Sequence, residues 1–156
     1  MILSMIAAGL ALTPADVDSR RLMATVRHLS TAWPDRNTNN PTCREAAEWV
    51  AAEFRKIPGM QVELMPFRVE QGPRIRETKE VVQVVATLPG RSARRVLVGG
   101  HLDTIALPLP GWAVPSPGAN DDASGVAAAL ECARLLAGTE RENTLVFVAF
   151  TGEEQG

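Results

Sequence analysis

Apolar residues recur along this chain with two different periods. Leu22, Val26 and Leu29 stand at i, i+4 and i+7 and so share one helical face. Thr13-Pro14-Ala15-Asp16 before them reads as a helix opening, with a Thr cap, a proline in the first turn and an acid three residues after the cap. That helix is expected to end before Trp33-Pro34, where residues 34–41, rich in Asn, Asp and Pro, form a loop. A second helical face, Ala46, Trp49, Val50, Phe54 and Ile57, follows the capping-box pattern Thr42-Cys-Arg-Glu45 and stops at Pro58-Gly59. Alternation then takes over. Val62 and Leu64 lie on one face and Phe67 and Val69 on the other after a phase change at Pro66, which predicts an edge strand with a bulge.

Residues 71–80 are a charged, solvated connection, and 81–88 and 95–100 are β-branched runs around the turn residues Pro89-Gly90-Arg91-Ser92. The two runs predict an antiparallel pair. The segment 106–117 is proline-rich and carries Trp112, readable as a pocket wall or as a plug pinning the loop. Val126, Ala129, Leu130, Ala133 and Ala137 make a stripe along a helix over 124–137 that Gly138 closes. Leu145 to Phe150 is apolar throughout, as in a strand buried on both faces. Strand, helix and strand over 95–150 predict a parallel, right-handed crossover. The fold class is therefore α/β, a mixed, partly parallel sheet flanked by helices. No repeat and no dividing linker interrupts residues 16–156, which read as one catalytic-type domain.

Composition narrows the partners. The 156 residues are 46% hydrophobic with a net charge of -2, and the charges are interspersed, so neither a nucleic acid nor an anionic membrane surface is an expected partner. Met1 to Leu12 is uncharged and mostly apolar but too short to span a bilayer. Residues 1–15 read either as a secretory leader, placing the protein outside the cytoplasm or in the periplasm, or as a packed or disordered N-terminal segment of a cytoplasmic protein. The absence of Lys or Arg before Arg20 speaks against the leader. Cys43 and Cys132 are far apart in sequence and form no Cys-x-x-Cys motif, so they read as two buried apolar thiols. Oligomeric state is not legible.

Three segments carry chemistry: His101-Leu-Asp103, Gly118-Ala-Asn-Asp121-Asp122-Ala-Ser-Gly125, and Glu153-Glu154. Singly, each has a plain reading: a satisfied surface pair, a helix cap, a solvated acidic turn. Together they stand at the carboxyl ends of two strands and the start of the helix between them, where an open α/β sheet gathers its ligands. Glycines 99, 100, 118 and 125 permit close backbone approach there.

In these motifs the chain resembles the co-catalytic zinc aminopeptidases, the family of bacterial leucyl aminopeptidases and glutamate-carboxypeptidase-like enzymes. The resemblance rests on His101-Leu-Asp103-Thr, on Pro117-Gly-Ala-Asn-Asp121-Asp122-Ala-Ser-Gly125 and on Phe150-Thr-Gly-Glu153-Glu154-Gln-Gly, separated by the proline-bearing gap. It extends from about Thr42 onward, and more loosely from Leu22. It implies two zinc ions, with Mn or Co as substitutes, His101 and Glu154 each on one ion and Asp121 bridging both. It implies that Asp103 orients the His101 ring, that Glu153 is the general base, and that the Asp121-Asp122 peptide is cis. The implied activity is a zinc-dependent exopeptidase that releases N-terminal residues from peptides by a metal-bridged hydroxide.

The family's second Asp and second His have no counterpart here, because the only other histidine, His28, belongs to the first helix and is expected to be exposed. The chain is therefore expected to be the N-terminal portion of such a peptidase, incomplete at its C-terminus, with the 145–150 strand short of partners. It should bind metal weakly and be inactive by itself. Two alternatives stay open: a non-catalytic, receptor-like or scaffold relative, and a related zinc amidohydrolase, carboxypeptidase or glutaminyl cyclase.

Overall fold

The structure is a computed structural model that describes residues 16–106 and 116–155. The leader-like segment, the Thr13-Pro14 opening and Trp112 lie outside the described residues.

Helix α1, Ser19–Ala32, starts where Asp18 turns its carboxylate onto the amides of Arg20 and Arg21, at 2.9 and 3.2 Å. An aspartate thus caps this helix, closer to the Leu22 face than the expected Thr cap. Helix α2, Pro41–Arg55, begins on Asn40 without a side-chain cap, and its first residue is a proline whose missing N–H needs no partner. The expected capping box does not form. Thr42 lies inside the first turn and donates its hydroxyl to the Asp35 carbonyl, and Glu45 accepts from the Trp33 indole at 3.1 Å.

The strands are β1 (Gln61–Val69), β2 (Lys79–Leu88), β3 (Ser92–His101) and β4 (Asn143–Phe150), in the order β1-β2-β4-β3. The expected pairing of β2 with β3 is wrong in adjacency, because β4 inserts between them, antiparallel to β2 and parallel to β3. The physical reason is the composition of β4. Val146 to Ala149 are all buried, and only a central position gives both faces and both edges of such a strand a partner. For the same reason β4 does not lack neighbours, contrary to expectation. The parallel β3–β4 crossover through helix α3, Ser124–Leu136, is as expected. Strand β1 is an edge, but its register with β2 runs unbroken through Pro66↔Val82, so there is no bulge. The phase change simply sends the two apolar pairs to opposite faces, and an edge strand tolerates the N–H that proline lacks.

The core is one cluster in which Leu29, Val50, Phe54, Leu130 and Ala133 of the helices meet Val84, Ala86, Leu88 and Phe147 of the sheet. Burying each such large side chain contributes about 1.5–3 kcal/mol. His28 is exposed but not isolated, since its ring packs 4.4 Å from that of Trp49 and 5.3 Å from that of Trp33. Both cysteines are free, and burial pushes the Cys43 thiol up to about 12, which leaves it inert as a nucleophile.

The α1–α3 contact is polar at one end. The Glu131 carboxylate, 3% exposed, accepts from Arg21 at 2.6 and 2.8 Å and from the Asp18 amide at 3.0 Å. The Arg21 bonds, opposed by burial, hold its carboxyl below the ordinary range. Its stabilisation is therefore present above the unfolded-state value and is lost as pH falls through the depressed folded value. Glu131→Gln is expected to cost about 2–3 kcal/mol near neutral pH, moderated by the exposure of Arg21, and much less once the wild-type carboxyl is protonated. Urea unfolding at neutral pH and near pH 3 checks this, and an equal difference at both would contradict it.

Candidate metal centre

His101 is the last residue of β3, Asp121 sits in the kinked turn Ala119–Ala123 before α3, and Glu153 and Glu154 follow β4. The crossover brings all three segments to one edge of the sheet. Two glycines make this approach feasible. At Gly100 a Cβ would stand 2.6 Å from an Asp122 carboxylate oxygen and 2.9 Å from the Val126 amide, so β3 meets the start of α3 only without a side chain. Gly118 opens the turn in the left-handed region, at φ 51°.

His101, Asp121 and Glu154 each present a ligand atom, and these atoms all lie within 4.8 Å of one another. His101 Nδ1 is 3.1 Å from the Asp103 carbonyl oxygen, which can only accept, so Nδ1 carries a proton. Nε2 then faces Asp121 Oδ1 at 2.8 Å. A neutral ring would set two acceptors against each other there. Either a proton or a cation must sit between them. Burial alone would lower the imidazole, but the bonds to Asp103 and Asp121 and the nearby carboxylates hold it above its ordinary value. Glu154 is raised by burial first and then by the negative charge of Asp121. An imidazole nitrogen and two carboxylates with unbalanced negative charge are a donor set that fits a divalent cation of the zinc type.

Asp103 is fully buried, and its role differs in geometry from simple ring orientation. Its carboxylate accepts from the amides of Gly152, Glu153 and Glu154 at 2.9, 3.2 and 3.0 Å and lies 4.0 Å from His101 Nδ1. Its backbone carbonyl holds the ring, and its side chain holds the turn that carries both glutamates. Glu153 is exposed at the rim, 3.9 Å from His101 Nε2. The Asp121-Asp122 peptide is cis. Asp121 faces His101, whereas Asp122 turns inward, accepting from the His101 amide at 3.0 Å and the Gly125 amide at 2.9 Å. Asp122 thus ties β3 to the first turn of α3, although the capping position itself is Ala123.

Two arginines at the site carry no periodic signal and were not legible in the sequence. Arg74 donates to the Glu154 carbonyl at 2.8 Å. Arg36, in the loop after α1, is fully buried beneath the site. Among the described residues, no helix is long and apolar enough to cross a membrane.

Residues 83–156 match the pattern of Peptidase family M28. A probable zinc metalloprotease of Pyricularia oryzae is 36% identical over 96% of this chain and 32% of its own length. Leucine aminopeptidase 1 of Ajellomyces capsulatus is 31% identical over 88% of this chain and 36% of its own length. The chain thus spans between 20% and 36% of the length of the curated relatives it matches. Among solved structures, the glutaminyl cyclase of Fimbriiglobus ruber superposes with a TM-score of 0.79 at 25% identity, covering 92% of this chain and 48% of that one. A Zn-dependent exopeptidase of Parabacteroides distasonis gives a TM-score of 0.73 at 22% identity, covering 89% and 48%. The fold is that of zinc exopeptidases and glutaminyl cyclases.

Proposed function

We propose, from the match of residues 83–156 to Peptidase family M28, that His101, Asp121 and Glu154 hold zinc and that the chain contributes this half-site to an aminopeptidase acting on the N-terminal residue of peptides. A complete site of this kind would hold two ions, to which Asp121 would lend its carboxylate, and Mn or Co would suit the same nitrogen and oxygen donors. The observation that carries the reading is the convergence of one imidazole and two carboxylates within 4.8 Å at the sheet edge. Zinc, when bound, supplies Lewis-acid polarisation of a carbonyl and acidifies water.

The chain's own residues supply the rest. Glu153 stands at the exposed rim beside His101, where it accepts the proton of an attacking water and returns it to the departing amine. Asp103 fixes the distance between base and ligand by holding the amides of both glutamates. Asp122 anchors His101 to the start of α3. Because only three protein ligands gather among the described residues, residues 1–156 alone are expected to bind zinc weakly and to turn over little. A non-catalytic scaffold would have no need to keep these three donors aimed at one point.

In a form extended to the length of the curated relatives, Glu153→Gln is expected to retain zinc and to lose about 10²–10⁴-fold in hydrolysis of leucine arylamides. Full activity of that variant would refute the assignment. The likeness to the Fimbriiglobus ruber enzyme supports one second reading, cyclisation of N-terminal glutamine. Turnover of glutaminyl peptides without hydrolysis of leucine arylamides would decide for it.

A further inference from the structure

Arg36 has no exposed surface and no carboxylate among its hydrogen-bond partners, an expensive placement for a permanent charge. Its guanidinium is satisfied by backbone carbonyls alone. The two N–H groups of Nη1 are shared among the carbonyls of Leu29 at 2.9 Å, Trp33 at 3.0 Å and Pro117 at 2.9 Å, while Nη2 donates to Gly118 at 3.1 Å and Nε to Leu102 at 2.7 Å. These carbonyls belong to the end of α1, the turn leading to Asp121, and the residue between His101 and Asp103. Its own backbone forms a two-bond clasp with Thr104, the amide of Arg36 donating to the Thr104 hydroxyl and the amide of Thr104 to the Arg36 carbonyl. A lysine ammonium, with a point charge and three donors, cannot span these segments, whereas a planar five-donor fork can.

The partners are the informative part. The Gly118 carbonyl that Arg36 binds also accepts from the Ala123 amide at 3.0 Å and so closes the turn containing Asp121. Leu102, whose carbonyl takes Nε, donates its amide to Phe150 and so continues the sheet past His101. One side chain therefore sits between the two segments that carry His101 and Asp121. The Asp122 carboxylate on the His101 amide and the His101 ring against the Asp121 carboxylate also tie them.

We propose that Arg36 is a positioning residue that sets the separation of His101 and Asp121 by holding, with one guanidinium, the backbone on both sides. This rests on the reading of that site as a metal centre. The charge is retained in the interior because it gives the cation site its geometry.

The test uses the 156-residue chain with Arg36→Met, Thr104→Val and, as a control in the α1–α3 ion pair, Glu131→Gln. Amide hydrogen exchange is measured without metal, and zinc binding by calorimetry. Arg36→Met is expected to speed exchange of the His101 and Ala123 amides at least about tenfold relative to those of β4, and to weaken zinc about 10–100-fold, the scale of a lost outer partner. Thr104→Val should move both readouts the same way by less. Glu131→Gln should lower the melting temperature and leave both within twofold. Arg36→Met with both readouts within twofold of wild type would overturn the proposal. If Arg36→Met does not fold, Thr104→Val decides, and a uniform rise in exchange, or none, overturns it. Zinc uptake unchanged by His101→Ala would instead sink the metal-centre reading, while the exchange pattern still judges Arg36.

Discussion

Asp103→Ala is expected to cost about 2–4 kcal/mol of stability and to abolish zinc binding, although Asp103 is not itself one of the three gathered donors. The variant leaves three amides, those of Gly152, Glu153 and Glu154, without the acceptor they now share. Each unpaired donor costs about 1–3 kcal/mol when buried, less here because the turn is partly exposed. The costs overlap because the three amides belong to one turn. Losing that turn releases Glu154, a proposed ligand, and Glu153, the proposed base, in one step. Urea unfolding and zinc calorimetry on the same samples check both effects. A variant that loses stability yet binds zinc at wild-type affinity would show that the turn is held by something other than this carboxylate.

His101→Ala is expected to abolish the stabilisation that zinc confers. In the wild type, free zinc at about 100 times its dissociation constant should stabilise the fold by about 2.7 kcal/mol, and a chelator should reverse this. The variant keeps β3, whose pairing is backbone to β4, but removes the sole nitrogen donor of the set. The affinity lost should exceed the roughly 10–100-fold that follows from losing an outer partner. Protons compete for the same nitrogen, so zinc uptake by the wild type should weaken as pH falls through the His101 value, which lies above that of an ordinary imidazole. Thermal melts with and without zinc between pH 5 and pH 8 measure this. An equal zinc-induced shift in wild type and variant would place the metal elsewhere.

Much of the site was legible because its residues are chemically marked and tied to periodic elements. The apolar run of β4 announced a buried strand, and the motifs flanking α3 stood at the ends of two strands that a crossover must bring to one edge. The helices were legible from their faces, though not their caps: α1 is capped by Asp18, and α2 starts at Pro41 in place of a capping box, since several residues near a helix start can satisfy the same amides. Arg36 was hidden for a different reason. A single arginine in an Asn- and Asp-rich loop looks solvated, and nothing local shows that carbonyls from two distant segments converge on it with those of the preceding helix end.

Residue type and spacing along the chain were enough for the element types, the parallel crossover and the gathering of His101, Asp121 and Glu154 at one place, since hydrophobic periodicity and side-chain chemistry are local properties. Strand order, the division of labour between Asp121 and Asp122, and the buried guanidinium under the turn were decided by tertiary packing. Each depends on which backbone groups remain unpaired once the sheet closes around β4, and that is a property of the assembled fold.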